Sequence, residues 1–447
     1  MTMTVPAALE QYYRRLEARF LVTESGNYSA LVTPNGNHLE PVHRWFHFKE
    51  AFSHRLLERV LKDEQARNAT RALRLYDPFT GSGTSAVSAG QLVQSGAIDK
   101  AYFHGAECNP FLHLLSSAKL AALQSPPSDF LTFAGGIAAV AVKAGSSALD
   151  VPALSTFHNS DYFQQAHVQR LMALRNAFKR EAAVAEPTTR LLAASCLASS
   201  VEPASNLRRD GRTLRYSPAK VPADPVVSFL ASAERIQEDL SRVPTSIQGG
   251  VTLTDVRENL EATPERMDVA LFSPPYPNNI DYTEVYKLEL WALGLINSDS
   301  EFAAQRRRSL RSHGSLRWQD EYSYMHGPHA SEVEKLLQPV LDAIPNNDRY
   351  TNARRQLVMG YADDMLQVVS KVARSLRPGG LMACVVGNSL HGKPSHQLLI
   401  AADLIIAALA ELAGMEVTRI EVARRPVRRR TPSDFLRESV VFARVRS

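Results

Sequence analysis

An open α/β fold built on a parallel sheet is the class this sequence predicts, and three observations predict it. Runs such as 269–272 (Val-Ala-Leu-Phe) and 381–386 are short, continuously apolar and sharply bounded, as strands buried on both faces are. Stretches with helical spacing of apolar residues alternate with them, for example 354–376 ahead of 381–386, and that order sets parallel strands side by side. A glycine-rich turn, Gly81-Ser82-Gly83, follows an early strand at the position where such sheets hold ligands.

With 447 residues, 45% of them hydrophobic, the chain can bury one large core with insertions, or several domains. Cys108, Cys196 and Cys384 are far apart and lack metal-ligand or disulfide spacing. Neither a metal site nor a disulfide is therefore expected, and the usage fits a reducing compartment. Residues 1–20 mix Glu10, Arg14, Arg15, Glu17 and Arg19 into apolar positions, unlike a signal peptide. No uninterrupted apolar stretch of about 18 residues occurs, so a cytoplasmic protein without membrane contact is expected. A net charge of +5 suits a polyanionic partner only weakly.

Taken in order, residues 11–20 suit a short helix, and 21–39, rich in Gly, Asn, Ser and Pro, an irregular segment. The run 43–52 leads into an amphipathic helix ending near Leu61, with Phe52, Leu56, Leu57, Val60 and Leu61 at helical spacing. A strand at 74–76 is followed by Asp77-Pro78-Phe79-Thr80-Gly81-Ser82-Gly83-Thr84. Gly81 and Gly83 remove side chains where backbone must pass close to a ligand, and Thr84 can cap a helix beginning at Ser85. The Gly-x-Gly-x-x-Ala spacing also fits a dinucleotide site. Asp77 ahead of the glycines, however, would repel a pyrophosphate and attract an α-ammonium, while the helix N-terminus faces a carboxylate. A second strand, 101–106, ends at Glu107, about two dozen positions after the glycines and near the spacing of an acid that holds ribose hydroxyls.

Residues 111–249 interrupt the alternation with helices at 164–183 and 190–197. Within them, Arg208, Arg209, Arg212 and Arg215 surround Gly211, a pattern that suits tracking a phosphate backbone and equally suits a solvated loop. A third strand, 251–254, ends at Asp255. The strand 269–272 is stopped by Ser273-Pro274-Pro275-Tyr276. Two prolines withdraw two N–H donors, so the carbonyls of Ser273 and Pro274 can point outward as acceptors, beside the flat face of Tyr276. That set suits a planar base held by its exocyclic amine, and its composition is also that of a Pro-rich turn. Asn278, Asn279, Asp281 and Tyr282 then either line a base pocket or turn the chain.

The stretch 298–350 interleaves Arg306, Arg307, Arg308, Arg311 and Arg317 with Trp318, Tyr322, Tyr324 and His326. Such a mixture suits backbone neutralisation plus stacking on unpaired bases, and solvated loops carry it too. One long helix, 354–376, is stopped by Arg377-Pro378-Gly379-Gly380 before the strand 381–386. A helix at 397–413 and strands at 416–423 and 438–444 follow, the strands joined by a basic connection, 424–430, that touches phosphates or is simply exposed.

With these residues in place, Ser273-Pro274-Pro275-Tyr276 resembles the catalytic motif of S-adenosylmethionine-dependent amino-group DNA methyltransferases, the N4-cytosine and N6-adenine family. Residues 77–84 resemble its cofactor motif, and the helix, Pro-Gly-Gly, strand phrase at 354–386 resembles the second half of its sheet. The resemblance implies a seven-stranded Rossmann-like methyltransferase sheet with a large helical insertion and a basic loop insertion. The implied division is an N-terminal helix and irregular segment at 1–40, a catalytic domain at 41–110, 250–297 and 351–447, a helical insertion at 111–249 and a basic-aromatic insertion at 298–350. Family layouts set a target-recognition region before the catalytic motif or at the C-terminus, whereas here the large extra segment falls between the second and third strands.

The resemblance also implies S-adenosylmethionine as cofactor, held by Asp77, Phe79, Gly81, Gly83 and Thr84. Glu107 would meet the ribose, Asp255 the adenine amine, and Lys49, with Phe48 and Phe52, the methionine end. It implies DNA as partner, met by the arginines of both insertions and Trp318, together with a cognate restriction or defence nuclease. An exocyclic amine is a poor nucleophile because its lone pair is delocalised into the ring. Acceptors at Ser273 and the Pro274 carbonyl would hold its hydrogens while Tyr276 stacks on the extruded base, so positioning supplies most of the catalysis. Serine in first place resembles the N4-cytosine group. N6-adenine, an RNA base, and a non-catalytic nucleic-acid-binding protein on the same fold are the rival readings.

Overall fold

The computed structural model describes residues 5–64, 72–144, 149–211, 213–243, 247–258, 266–345, 349–393, 396–426 and 433–446. The first part of the chain runs through α1 (Ala7–Glu17), β1 (Val22–Thr23), α2 (Leu56–Asp63), β2 (Ala72–Asp77), α3 (Thr84–Gln94), β3 (Lys100–Glu107) and α4 (Pro110–Gln124). Next come α5 (Phe130–Lys143), α6 (Gln165–Glu181), α7 (Pro187–Ser199), β4 (Leu207–Arg209), β5 (Leu214–Tyr216) and α8 (Pro225–Leu240). The sheet resumes with β6 (Ile247–Leu253) and β7 (Met267–Phe272), followed by α9 (Tyr282–Val285), α10 (Lys287–Ala292), α11 (Asp299–Arg308), α12 (Ala330–Asp342) and α13 (Thr351–Ser375). Last are β8 (Leu376–Gly387), β9 (Ser389–Lys393), β10 (His396–Ile400), α14 (Ala402–Leu412), β11 (Met415–Arg424) and β12 (Glu438–Val445).

The central sheet has the order β1-β11-β12-β8-β7-β2-β3-β6. Strands β6, β3, β2, β7 and β8 are parallel, and β12 runs antiparallel between β8 and β11. This is the Rossmann-like α/β arrangement the sequence predicts, with its seven strands extended by an eighth. The addition is the two-residue β1, which pairs with the edge of β11, Val22 opposite Ile420 and Thr23 opposite Glu421. Glu421 holds it there by accepting from Ser25 N at 2.8 Å and Ser25 Oγ at 2.6 Å.

Alternation of side chains explains why β7 is apolar throughout. Val269 and Leu271 enter the core layer under α3 to α8, while Ala270 and Phe272 enter the layer that contains α12 to α14. Strand β2 is flanked by β3 on one side and β7 on the other, so the sheet changes direction of growth at β2 and the crevice opens at its carboxyl end.

Local departures have local causes. Helix α2 begins only at Leu56, because Ser53 N is bonded to Leu31 O at 2.8 Å and so ties the preceding chain to another segment. Gly83, with φ of 83°, is the N-cap of α3, so the helix starts at Thr84 and Thr84 does not cap it. Within the segment read as a loop, Leu207–Arg209 and Leu214–Tyr216 pair as the antiparallel strands β4 and β5. The expected helix at 397–413 is split: 396–400 pairs with β9 as a hairpin, burying Leu398, Leu399 and Ile400, and α14 begins at Ala402. Among the described residues, no helix is long and apolar enough to cross a membrane, and no group of His, Cys, Asp and Glu could hold a metal ion.

Candidate active site

The carboxyl ends of β2, β3, β6 and β7 open on one cavity of about 1350 Å³, counting its mouth. Lys49, Asp77, Phe79, Gly81, Thr84, Glu107 and Asp255 line it on one side, and Ser273, Pro275 and Tyr276 on the other, with Arg308 at the wall. Of the residues predicted for catalysis and for the cofactor, two lie outside the lining. Pro274 is buried beneath it, so of the two expected carbonyl-bearing residues only Ser273 reaches the cavity. Gly83 packs against Ser116, where a Cβ would lie 3.2 Å from Ser116 Cα, so this glycine brings α3 and α4 together and does not face a ligand. Gly81 is the glycine at the cavity; at φ of 52° it passes under Phe48.

At that end, two acids are buried. Asp77 accepts from Phe79 N at 3.0 Å and from the Ser85 hydroxyl, and burial pushes its carboxyl up to about 7. Glu107 accepts from Gly81 N and Asn109 N, both at 2.8 Å, and burial pushes it likewise to about 7. Glu107 thus ties the glycine turn to the end of β3. Its oxygens keep lone pairs free for hydroxyl donors. Asn109 in turn caps α4, accepting from Phe111 N at 3.0 Å with Pro110 in the first helical position.

Asp255 is engaged by Arg257 through Nη2 at 2.6 Å and Nε at 3.0 Å. Arg257 Nη1 reaches Asp364 at 2.8 Å, and Arg311 Nη2 lies 2.6 Å from both Asp364 and Asp363. A buried row of alternating charge therefore runs from the end of β6 to α13. Lys49 is exposed and donates to Arg209 O at 2.5 Å.

Around the motif after β7, Ser273 Oγ donates to Tyr276 Oη at 3.3 Å and Tyr276 Oη donates to Glu438 Oε1 at 2.7 Å. Glu438 Oε2 accepts from Arg424 Nε at 2.5 Å. Burial pushes the Tyr276 phenol well above its usual range, so it keeps its proton and acts as a donor. Its ring rests on Gly387, where a Cβ would come within 2.8 Å of Cδ2 and Cε2. Gly387, Glu438 and Arg424 are cross-strand partners in one line across β8, β12 and β11. Glu438 and Arg424 both line the cavity; the sequence did not single out Glu438, and it placed Arg424 only in the basic connection 424–430. The missed signal is directional: β12 runs against its neighbours, so its first residue lies at the edge where the parallel strands end.

The following loop is pinned. Asn279, at φ of 67°, accepts from Gly314 N at 3.0 Å, and His391 Nε2 lies 2.7 Å from Pro277 O. Asn278 and Tyr282 line the cavity; Asp281 does not, because it caps α9 and pairs with Arg306 at 2.7 Å.

The predicted nucleic-acid arginines divide. Arg209 is not free to meet a phosphate: it bonds the carboxylates of Glu202 and Glu289 and lies over the Tyr286 ring at 4.9 Å. Arg311 is likewise internal, because its guanidinium crosses α13 at Gly360 onto Asp363 and Asp364. Arg208 and Arg307 are exposed, as is Arg215, which pairs with Asp210 at 2.6 Å. Arg308 lies 3.6 Å from Glu258, and Trp318 is half-buried with Nε1 3.3 Å from His313 O. Arg212 and Arg428 to Arg430 lie outside the described residues.

No family model matches the chain. It is 22% identical over 449 residues to the Type II methyltransferase M.BsoBI of Geobacillus stearothermophilus, covering 87% of this chain and 82% of that one. It is 23% identical over 429 residues to the Type II methyltransferase M.AvaI of Nostoc sp. (strain PCC 7120), covering 88% and 83%, and equally so to M.AvaI of Anabaena variabilis. Among solved structures, the rRNA methyltransferase aviRa of Streptomyces viridochromogenes overlaps at a TM-score of 0.30 with 12% identity, covering 88% of this chain and 85% of that chain, too loosely to bear on function.

Proposed function

We propose that this chain, an S-adenosylmethionine-dependent DNA methyltransferase, transfers a methyl group to the exocyclic N4 of cytosine. The supporting observation is that a site suited to a cationic, amino-acid-like cofactor and a site suited to a planar base share one cavity. Asp77 and Glu107, buried with their carboxyls pushed up to about 7, fit a guest that brings an ammonium and ribose hydroxyls. Gly81 leaves room for close approach, and Asp255, Phe79, Thr84 and Lys49 complete that half. When bound, S-adenosylmethionine supplies an electrophilic methyl group on a sulfonium. The chain's own work is to hold the amine at Ser273 Oγ, to stack the extruded base on Tyr276, and to keep water out. Serine at 273 is the feature that favours cytosine N4 over adenine N6.

DNA is the proposed partner, met by exposed Arg208, Arg215 and Arg307, with 298–350 as the proposed target reader. A cytoplasmic setting and a cognate nuclease belong to the same reading. The test supplies a labelled methyl donor with DNA or with RNA, digests the product to nucleosides, and maps the modified site. N4-methylcytosine from DNA is expected. N6-methyladenine would reassign the base, and label in RNA alone, or in neither polymer, would overturn the proposal.

A further inference from the structure

A methyl group added to an exocyclic amine leaves the nitrogen with one proton too many, and the cavity contains a route for it. We infer that this proton leaves through Ser273 Oγ and Tyr276 Oη to the carboxylate of Glu438. The inference rests on the reading of the site as a base-amine methyltransferase.

Both hydrogen bonds point the same way, Ser273 donating to Tyr276 at 3.3 Å and Tyr276 donating to Glu438 at 2.7 Å. In one concerted shift, Ser273 Oγ takes a proton from the nitrogen and gives its own to Tyr276 Oη, which gives its own to Glu438 Oε1. The N–CH₃ bond forms as the methyl–sulfur bond breaks, the sulfonium becomes a neutral thioether, and the carboxylate becomes a carboxylic acid, so charge and atoms balance. Serine and tyrosine end neutral, with their hydrogen bonds reversed.

Arg424 Nε lies 2.5 Å from Glu438 Oε2, so a fixed guanidinium faces the carboxylate on the side away from Tyr276. Such a carboxylate is a weak base, yet a doubly protonated, methylated ring amine is a strong acid, so the transfer runs downhill. Glu438 is 6% exposed, which separates this acceptor from bulk water. The 3.3 Å link is the longest in the chain, and such contacts commonly shorten only when substrate is seated. Gly387 allows the arrangement, since any larger residue would push the Tyr276 ring off its line to Glu438.

Two substitutions in the full chain test it: Tyr276→Phe, which keeps the ring and removes the relay atom, and Glu438→Gln, which keeps the shape and removes the acceptor. Single-turnover methyl transfer to DNA should fall about 100-fold in each, the range that general acid–base groups supply. The double variant should be no slower than the slower single variant, because both break one path. Three readouts should stay put: the KM for DNA, calorimetric cofactor affinity, and 2-aminopurine emission at the mapped site measured without methyl donor. A Tyr276→Phe rate within about threefold of the parent would overturn the relay, as would a loss confined to KM or to 2-aminopurine emission. If Glu438→Gln unfolds, Tyr276→Phe with its carboxylate intact decides the question. Parent protein that methylates DNA while both variants keep pace removes the relay alone; parent protein that leaves DNA unmodified removes the function beneath it.

Discussion

Asp77 and Glu107 carry the most direct chemical expectations. Burial raises both carboxyls to about 7, so between the ordinary carboxylate range and that value the folded chain keeps protons the unfolded chain has lost. The stability they contribute to the free protein is therefore complete at acid pH and declines as pH climbs through about 7. A cationic guest needs the ionised pair, so its affinity should rise over the same window, with proton release visible by calorimetry in buffers of different ionisation heat; equal affinity at both ends of that window would contradict the assignment. Asp77→Asn should weaken cofactor binding roughly 10- to 100-fold, as loss of a charged hydrogen bond does. Tyr276→Ala should leave that affinity alone while stopping transfer, and equal loss of cofactor binding in both variants would contradict the roles given to them. These residues were legible because each ends or follows an apolar run beside glycine or proline. Glu438 was not, since an acid opening a strand looks like any solvated strand end until strand direction is known.

Among the elements, the inner strands β7 and β8 were readable because burial on both faces leaves 269–272 and 381–386 without polar residues, whereas the edge strand β6 is largely exposed and was read only from 251. Strand β1 is two residues long, below any periodicity, and β10 is an apolar run that helix and strand fit equally well. Gly249 in β6 sits at φ of 111° with an imagined Cβ only 1.8 Å from Phe103 O. Gly249→Ala should therefore lower the unfolding free energy by about 2–4 kcal/mol, combining left-handed strain with overpacking, as read by denaturant titration. Gly387→Ala acts differently: its methyl meets the Tyr276 ring, so methyl transfer should drop by about 10-fold or more while the melting temperature moves little. A Gly387→Ala variant with unchanged turnover would show that the ring has room to move.

Over the molecule as a whole, the arginines separate into those that hold the fold and those that face outward, a division composition could not supply. Arg311→Ala should cost about 3–5 kcal/mol of stability, because it leaves Asp363 without its cation and Asp364 with Arg257 alone. Arg307→Ala should leave stability alone and lower the salt dependence of DNA binding by about one unit of slope. Titrations of each variant against denaturant and against DNA at several salt concentrations distinguish the two; a stable Arg311→Ala protein would refute the structural role. The buried row Asp255, Arg257, Asp364, Arg311 and Asp363 has a further result. Deleting either arginine in it leaves an end acid, Asp255 or Asp363, without a cation, whereas deleting that arginine together with its end acid leaves the remaining ions paired. Descendants of this chain can thus lose Arg257 only along with Asp255, and Arg311 only along with Asp363, and their genes should record it: neither end acid kept where its arginine is gone.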